Sequence, residues 1–326
     1  LFILFYLIPF HSYIPRFEKI STLILLLPVG IFLMASFQSF IIFHNKLGNF
    51  RLNALFKTIQ ALMMLGMSFF LTNFWGFTAT SLVMAWIMSQ AVLFIIYSII
   101  ELVKRENHQF EELKTLAINY KRYPTVSMLS NFINTFSVEL PNYFIPAFWG
   151  AGVQTLYAYG ARVAGMPRNF IGSAIGDVFF NTSSKLAIED PKQLLPHLKK
   201  VSQSLILFSA VIYFLGIITA RFLFPLVFGE EFIEAVPFFQ WMAAASIFLF
   251  VQSPISVISD VINRLDAPLI FNTVSIVFKI AALLIAGYFL DNPVHMIMLY
   301  AITTGLLSLF WIIYLQHLTK TAINKI

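Results

Sequence analysis

Apolar residues run along this chain in long blocks, and the polar residues between them are few and clustered. A helix rising about 1.5 Å per residue needs roughly 17–25 apolar residues to cross about 30 Å of hydrocarbon. Blocks of that size stand at 22–43, 54–73, 78–100, 124–148, 152–178, 202–227, 236–259, 268–290 and 294–316. A shorter one, LFILFYLIPF at 1–10, has neither a methionine nor a basic leader before it. It reads as a truncated spanning helix rather than a signal peptide. The pattern predicts an all-α polytopic membrane protein.

The longest polar interruption is ELVKRENHQFEELKTLAINYKRY at 101–123, where charges of both signs alternate as on an interfacial helix. It divides the chain into an incomplete N-terminal transmembrane lobe, 1–100, a cytoplasmic linker helix, 101–123, and a C-terminal six-helix lobe, 124–326. A second interruption, SSKLAIEDPKQLLPHLKK at 183–200, fits a helix lying on the membrane surface and a solvated loop equally well.

Lysine and arginine set the orientation, because cytoplasmic connections retain positive charge. About 15 of the 21 fall on one side, among them Lys46, Arg51, Lys57, Lys104, Arg105, Lys185, Lys199, Arg264 and Lys320; the other side has only Arg16 and Lys19. The first side is therefore expected to be cytoplasmic, with the C-terminus on it. Composition agrees with the membrane reading: 59% of residues are hydrophobic, 11% are charged, and the mean hydropathy is +0.82. The chain has 37 phenylalanines and no cysteine, so disulfides, thiolate metal sites and cysteine nucleophiles are excluded. Its net charge of +6 is explained by basic loops facing anionic headgroups, and no nucleic acid is expected as a partner. Trp75 and Trp149 fit an interfacial belt at the outer boundary.

Within the spans, polar residues recur at helical spacing. One stripe in 152–178 is Arg162, Gly165, Asn169, Gly172 and Gly176; one in 124–148 is Ser127, Asn131, Thr135, Glu139 and Asn142, with Pro141 placed to kink the helix. In 268–290 the series is Asn272, Ser275, Lys279 and Ala282, and toward the end of 236–259 it is Gln252, Ser256, Ser259 and Asn263. Arg162 and Lys279 fall near the midplane and Glu139 a little further out, while Arg168 and Asp177 lie toward the cytoplasmic end. At about 2.5–3.5 kcal/mol per central charge, the three midplane charges oppose insertion by roughly 8–10 kcal/mol unless they are compensated. Glu139 could pair with Arg162 and merely fix helix packing. Alternatively the charges line a water-filled cavity: Arg162, Arg168, Arg221 and Lys279 outnumber Glu139 and Asp177, and the surplus would attract an anion.

YKRYP at 120–124, VELPNYFIPAFWGAGVQTLYAYGARVAGMPRNFIGSAIGDVFF at 138–180 and LVFGEEFIEAVPFFQ at 226–240 resemble the second half of bacterial polysaccharide transporters. These are the lipid-linked oligosaccharide flippases of the O-antigen type, in the superfamily that also holds multidrug and toxin exporters. The resemblance implies two six-helix lobes facing a central cavity, of which this chain would lack the first two helices and part of the third. It implies movement of a polyprenyl-pyrophosphate-linked glycan across the bacterial inner membrane by alternating access, with no cofactor, among membrane lipids and beside the polysaccharide polymerase machinery. Arg162, Arg168 and Lys279 would then bind the pyrophosphate, and Asn131, Asn142 and Asn169 the sugar hydroxyls; Glu139 would take a coupling proton or sodium ion.

Two rivals differ in testable ways. A multidrug or cation antiporter of the same superfamily needs an acidic cavity, whereas this stripe set is basic. A membrane-embedded glycan polymerase or transferase needs acid–base or nucleophilic groups converging in a sizeable aqueous loop. Outer connections here are about ten residues or fewer, and the six histidines fall in connections or at span ends. No HExxH, GxSxG or phosphate-cradling glycine loop is present. The acids Glu230, Glu231 and Glu234 read as a solvated outer turn before Pro237 rather than as a metal site.

Overall fold

A computed structural model describes residues 26–102, 115–116, 118–121 and 123–324. The stub at 1–10, Arg16, Lys19 and most of the linker, including Lys104, Arg105 and Lys114, lie outside the described residues. The chain falls into two units, Leu1–Gln109 and Phe110–Ile326. Among the described residues every regular element is helical, and seven helices are long and apolar enough to cross a membrane.

In the first unit, α1 (Leu27–Lys46), α2 (Phe50–Trp75) and α3 (Ala79–Leu102) follow one another through short turns. They pack around Phe37, Phe40, Ile41, Phe56, Leu93 and Tyr97, with the Phe40 and Tyr97 rings stacked at 5.1 Å. Asn53 closes the α1–α2 turn, donating its amide to the Ile41 carbonyl at 2.9 Å and to Asn45 Oδ1 at 2.6 Å. The other face of α2 presents Leu65, Phe69, Phe70 and Phe74 outward, as a lipid-facing helix must.

The second unit opens with α4 (Met128–Pro167), whose two arms, 128–149 and 151–167, meet at Gly150. There φ is +83°, a conformation that a residue with a β-carbon rarely adopts, so the single glycine reverses the chain. These arms correspond to the expected spans 124–148 and 152–178. Neither is among the seven helices that qualify by length and apolarity, because the polar residues of the site interrupt both.

The second arm runs through a wide π turn, Arg168–Gly172, into α5 (Ser173–Glu189); α6 (Leu194–Phe228) follows after four residues. The stretch 183–200 is thus not a loop. It is a helical hairpin whose apolar positions pack inward: Leu194 and Leu198 are buried, and His197 stacks on Phe179. At 35 residues, or about 52 Å, α6 exceeds the hydrocarbon thickness of about 30 Å.

A 3₁₀ turn, Glu230–Ala235, carries the three outer acids and leads into α7 (Val236–Ile255), then α8 (Asp266–Phe289) and α9 (Pro293–Ile323). Asn292 caps α9 by accepting from the Val294 N–H at 2.8 Å. One core cluster joins α6, α7 and α9 through Tyr213, Phe239, Phe250 and Trp311. A second joins both arms of α4 to α7, α8 and α9 through Leu140, Ile145, Tyr157, Phe238, Leu283 and Met296, with Trp149 packed against it while Trp75 stays exposed. The second arm of α4 lies close to α7 at Gly160, where an added β-carbon would stand 2.7 Å from the Phe239 nitrogen.

Candidate functional site

Three prolines interrupt the hydrogen-bond ladder of α4, and the carbonyl that Pro141 releases helps to build the site. Pro141 has no N–H, so the Ser137 carbonyl one turn back loses its helical partner. In a low-dielectric interior such an oxygen costs several kcal/mol if it is left bare. Tyr300 of α9 supplies the replacement, its hydroxyl donating to Ser137 O at 3.3 Å. The helix therefore continues through Pro141 rather than breaking there. Just past Pro167 the Arg168 N–H turns to Gly165 O instead of Ala164 O, and the Ala164 carbonyl accepts from the Tyr213 hydroxyl of α6 at 3.0 Å.

The same polar face fastens α8 to the first arm. Lys279 Nζ donates to Ser137 Oγ at 3.1 Å, and Asn272 Nδ2 donates to Ser130 O and Ser130 Oγ at 3.2 and 3.0 Å. Ser137 thus takes Tyr300 on its backbone and Lys279 on its side chain.

Above these ties lies a cavity of about 400 Å³, enclosed by α4, α7, α8 and α9. Its walls carry Arg162, Arg168 and Lys279 and one carboxylate, Glu139; no histidine lines it. Lys279 is buried at 7% exposure, Arg168 is half-buried and Arg162 is exposed. Among the described residues the ion pair is Arg264 with Asp266, a two-pronged contact at 3.2 and 3.0 Å outside the spans; that hydrogen-bonded carboxylate raises the Arg264 pKa. The three cavity cations have no carboxylate within ion-pair distance there.

Glu139 does not pair with Arg162. Its Oε2 accepts from Asn142 Nδ2 at 2.6 Å, and Asn142 Oδ1 accepts from Gln154 Nε2 at 3.2 Å, so a relay of three side chains spans the Gly150 reversal. The pairing expectation is corrected on that ground: a nearer neutral donor satisfies the carboxylate and leaves the guanidinium to the cavity.

Of the residues singled out in the sequence, Arg162, Arg168, Lys279, Glu139 and Asn142 meet in this one cavity, with Asn272, Ser275 and Gln252 from the neighbouring stripes. Asn131 is exposed and outside the lining; it shares the face of Asn142 but lies three turns away along the arm. Asn169 is also exposed and outside, because the π turn beginning at Arg168 rotates later residues off the register. Arg221 is exposed and away from the cavity, and Asp177 does not line it. Ser256 is occupied structurally, accepting from Trp311 Nε1 at 3.0 Å. Sequence reasoning missed α9, although Tyr300, Thr304 and Ser308 recur at steps of four and all line the cavity. Their neutral hydroxyls sent no charge signal.

A concave basic chamber with small amides and hydroxyls between its cations is suited to an anion that also carries hydroxyl groups. Residues 1–237 match the model of a family described as polysaccharide biosynthesis protein. That match covers both arms of α4 with Glu139, Arg162 and Arg168, and ends as α7 begins, before Gln252, Lys279 and Tyr300. No curated protein matches the sequence.

Proposed function

The chain belongs to the polysaccharide biosynthesis protein family, and from that premise we propose that it is a flippase, carrying a polyprenyl-pyrophosphate-linked oligosaccharide across the bacterial inner membrane by alternating access. The observation that carries this reading is the set of three cations, unpaired with carboxylates among the described residues, around one open cavity. Charges so placed oppose folding unless something is gained by keeping them. The gain is a stopping place for a diphosphate: the fork of Arg162 takes two phosphate oxygens, Arg168 faces it from the π turn, and Lys279 adds a point charge from α8.

The prenyl chain stays in lipid while the hydrophilic head enters the cavity, and no bond is made or broken. Glu139 is the candidate for the coupling proton or sodium ion, with Asn142 holding its carboxylate in place. Asn142 has one remaining N–H for a sugar hydroxyl; Asn131 and Asn169, both exposed, would meet the glycan only outside the chamber. On this reading the protein works beside the polymerase machinery with its C-terminus in the cytoplasm.

A cation antiporter is disfavoured by the same observation, since three cations against one carboxylate repel a cationic drug. A glycan-processing enzyme is disfavoured because the lining brings no base to a nucleophile. The test is translocation of a fluorescent undecaprenyl-diphosphate glycan in proteoliposomes. Arg162→Ala is expected to lower the rate at least about tenfold, the loss of one charge-assisted contact, with the fold intact. Wild-type rates from folded Arg162→Ala protein would remove the anion site.

A further inference from the structure

A serine or threonine inside a membrane helix ordinarily turns its hydroxyl onto the carbonyl one turn back, so no polar hydrogen is left bare. Ser39, Thr58, Ser202, Thr219, Ser308 and Thr319 all do this at 2.7–2.9 Å. Ser275 of α8 and Thr304 of α9 do not. Each is 3% exposed, and neither side-chain oxygen has a partner at hydrogen-bond distance; the Tyr300 hydroxyl, which neighbours Thr304, gives its proton to Ser137 O instead. The Oε1 of Gln252, on α7, is in the same condition. These three atoms come from three helices, and all three residues line the cavity that holds the cations. Trp149, Ser183 and His197 also bury a partnerless polar atom, but none of them borders it.

We propose that Gln252, Ser275 and Thr304 form a hydroxyl-recognising subsite of this cavity, which receives the sugar attached to the diphosphate. The inference rests on the flippase reading given above. An amide oxygen only accepts, so Gln252 requires a ligand that donates; serine and threonine hydroxyls donate or accept as required. A sugar ring offers neighbouring hydroxyls that do both. An ionised phosphate has no proton to give Gln252, and a cationic drug carries too few hydroxyls to serve all three. Ser275 stands one turn from Lys279 on the same face of α8, so the subsite adjoins the anion position. A cavity of about 400 Å³ is near the small end of ligand sites, which favours the first sugar over the whole repeat unit.

The test measures binding of two probes to the purified full chain in nanodiscs: farnesyl diphosphate, and farnesyl diphosphate bearing one N-acetylhexosamine. Wild-type protein is expected to prefer the sugar-bearing probe by about tenfold or more, as a site built for hydroxyls rejects the analogue lacking them. The triple variant Gln252→Leu, Ser275→Ala, Thr304→Val is expected to lose that preference while binding the bare carrier as wild type does. Should the triple variant fail to fold, Ser275→Ala alone is expected to lower the preference at least threefold, and Thr304→Ser to retain it. A preference that survives undiminished in the folded triple variant or in Ser275→Ala, or is missing from wild type, overturns the subsite; the three atoms would then serve only buried water. Failure of the anion reading looks different: bare-carrier binding would not respond to Arg162→Ala or Lys279→Met.

Discussion

Replacing Lys279 by methionine separates a cation kept for the fold from one kept for a ligand. The two side chains are similar in length, so packing between α8 and the first arm of α4 is nearly conserved. Lys279 is 7% exposed, and its ammonium donates at 3.1 Å to Ser137 Oγ. Losing that charge-assisted bond costs about 1.5–3 kcal/mol. If Lys279 sits at mid-span, as its position in the sequence predicts, removing it regains about 2.5–3.5 kcal/mol of insertion penalty. Ser137 is then free to turn its hydroxyl onto the Ile133 carbonyl, as other helical serines in this chain do. The balance is roughly 0–2 kcal/mol in favour of methionine. For the anion the sign is reversed: a charge about 4 Å from a phosphate oxygen is worth up to about 4 kcal/mol at an effective dielectric near 20. Thermal unfolding in detergent should therefore show a midpoint at or above wild type, while glycan translocation in proteoliposomes falls at least about tenfold. A lowered midpoint with normal translocation would refute this reasoning, because it would make Lys279 a packing element.

Tyr300→Phe strips the Ser137 carbonyl of its replacement donor and should destabilise by about 1–3 kcal/mol; Pro141→Ala restores the helical N–H, so the double variant should recover most of the loss in a thermal-unfolding cycle. Gly160→Ala drives a β-carbon to 2.7 Å from the Phe239 nitrogen and should cost about 1–3 kcal/mol, read as a lower midpoint and poorer monodispersity in detergent; unchanged behaviour would mean the α4–α7 approach yields freely. Glu139→Gln keeps a hydrogen bond to Asn142 while removing the charge, so binding of the carrier should persist while stimulation by an imposed proton or sodium gradient disappears. A Glu139→Gln variant that still responds to both gradients excludes Glu139 as the coupling group.

The spans and the charges within them could be read from local pattern, because a bilayer demands about twenty apolar residues per crossing and penalises each exception. Arg162, Lys279 and Glu139 stood out for that reason. Partners could not be read in this way. Glu139 and Arg162 looked like a pair across a short turn, yet the carboxylate went to Asn142, three residues away on its own arm. Asn131 and Asn169 fitted their stripes, but a stripe fixes a direction around the helix and not where a cavity starts, and the π turn at Arg168 shifted the register. The hairpin at 183–200 was ambiguous because apolar positions that would suit a membrane surface suit a neighbouring helix equally well.

The sequence by itself determined that this is an all-α membrane protein and which of its helices carry charge, since those properties depend on each segment's own composition. Tertiary structure alone decided that Tyr300 covers the carbonyl released by Pro141 and Tyr213 the one freed at Ala164, that Ser137 anchors Lys279, and that the side-chain oxygens of Ser275, Thr304 and Gln252 are left without hydrogen bonds beside the cations. The physical reason is distance along the chain: these hydrogen bonds join residues such as Ser137 and Tyr300, 163 positions apart, and become available only after separate helices have packed.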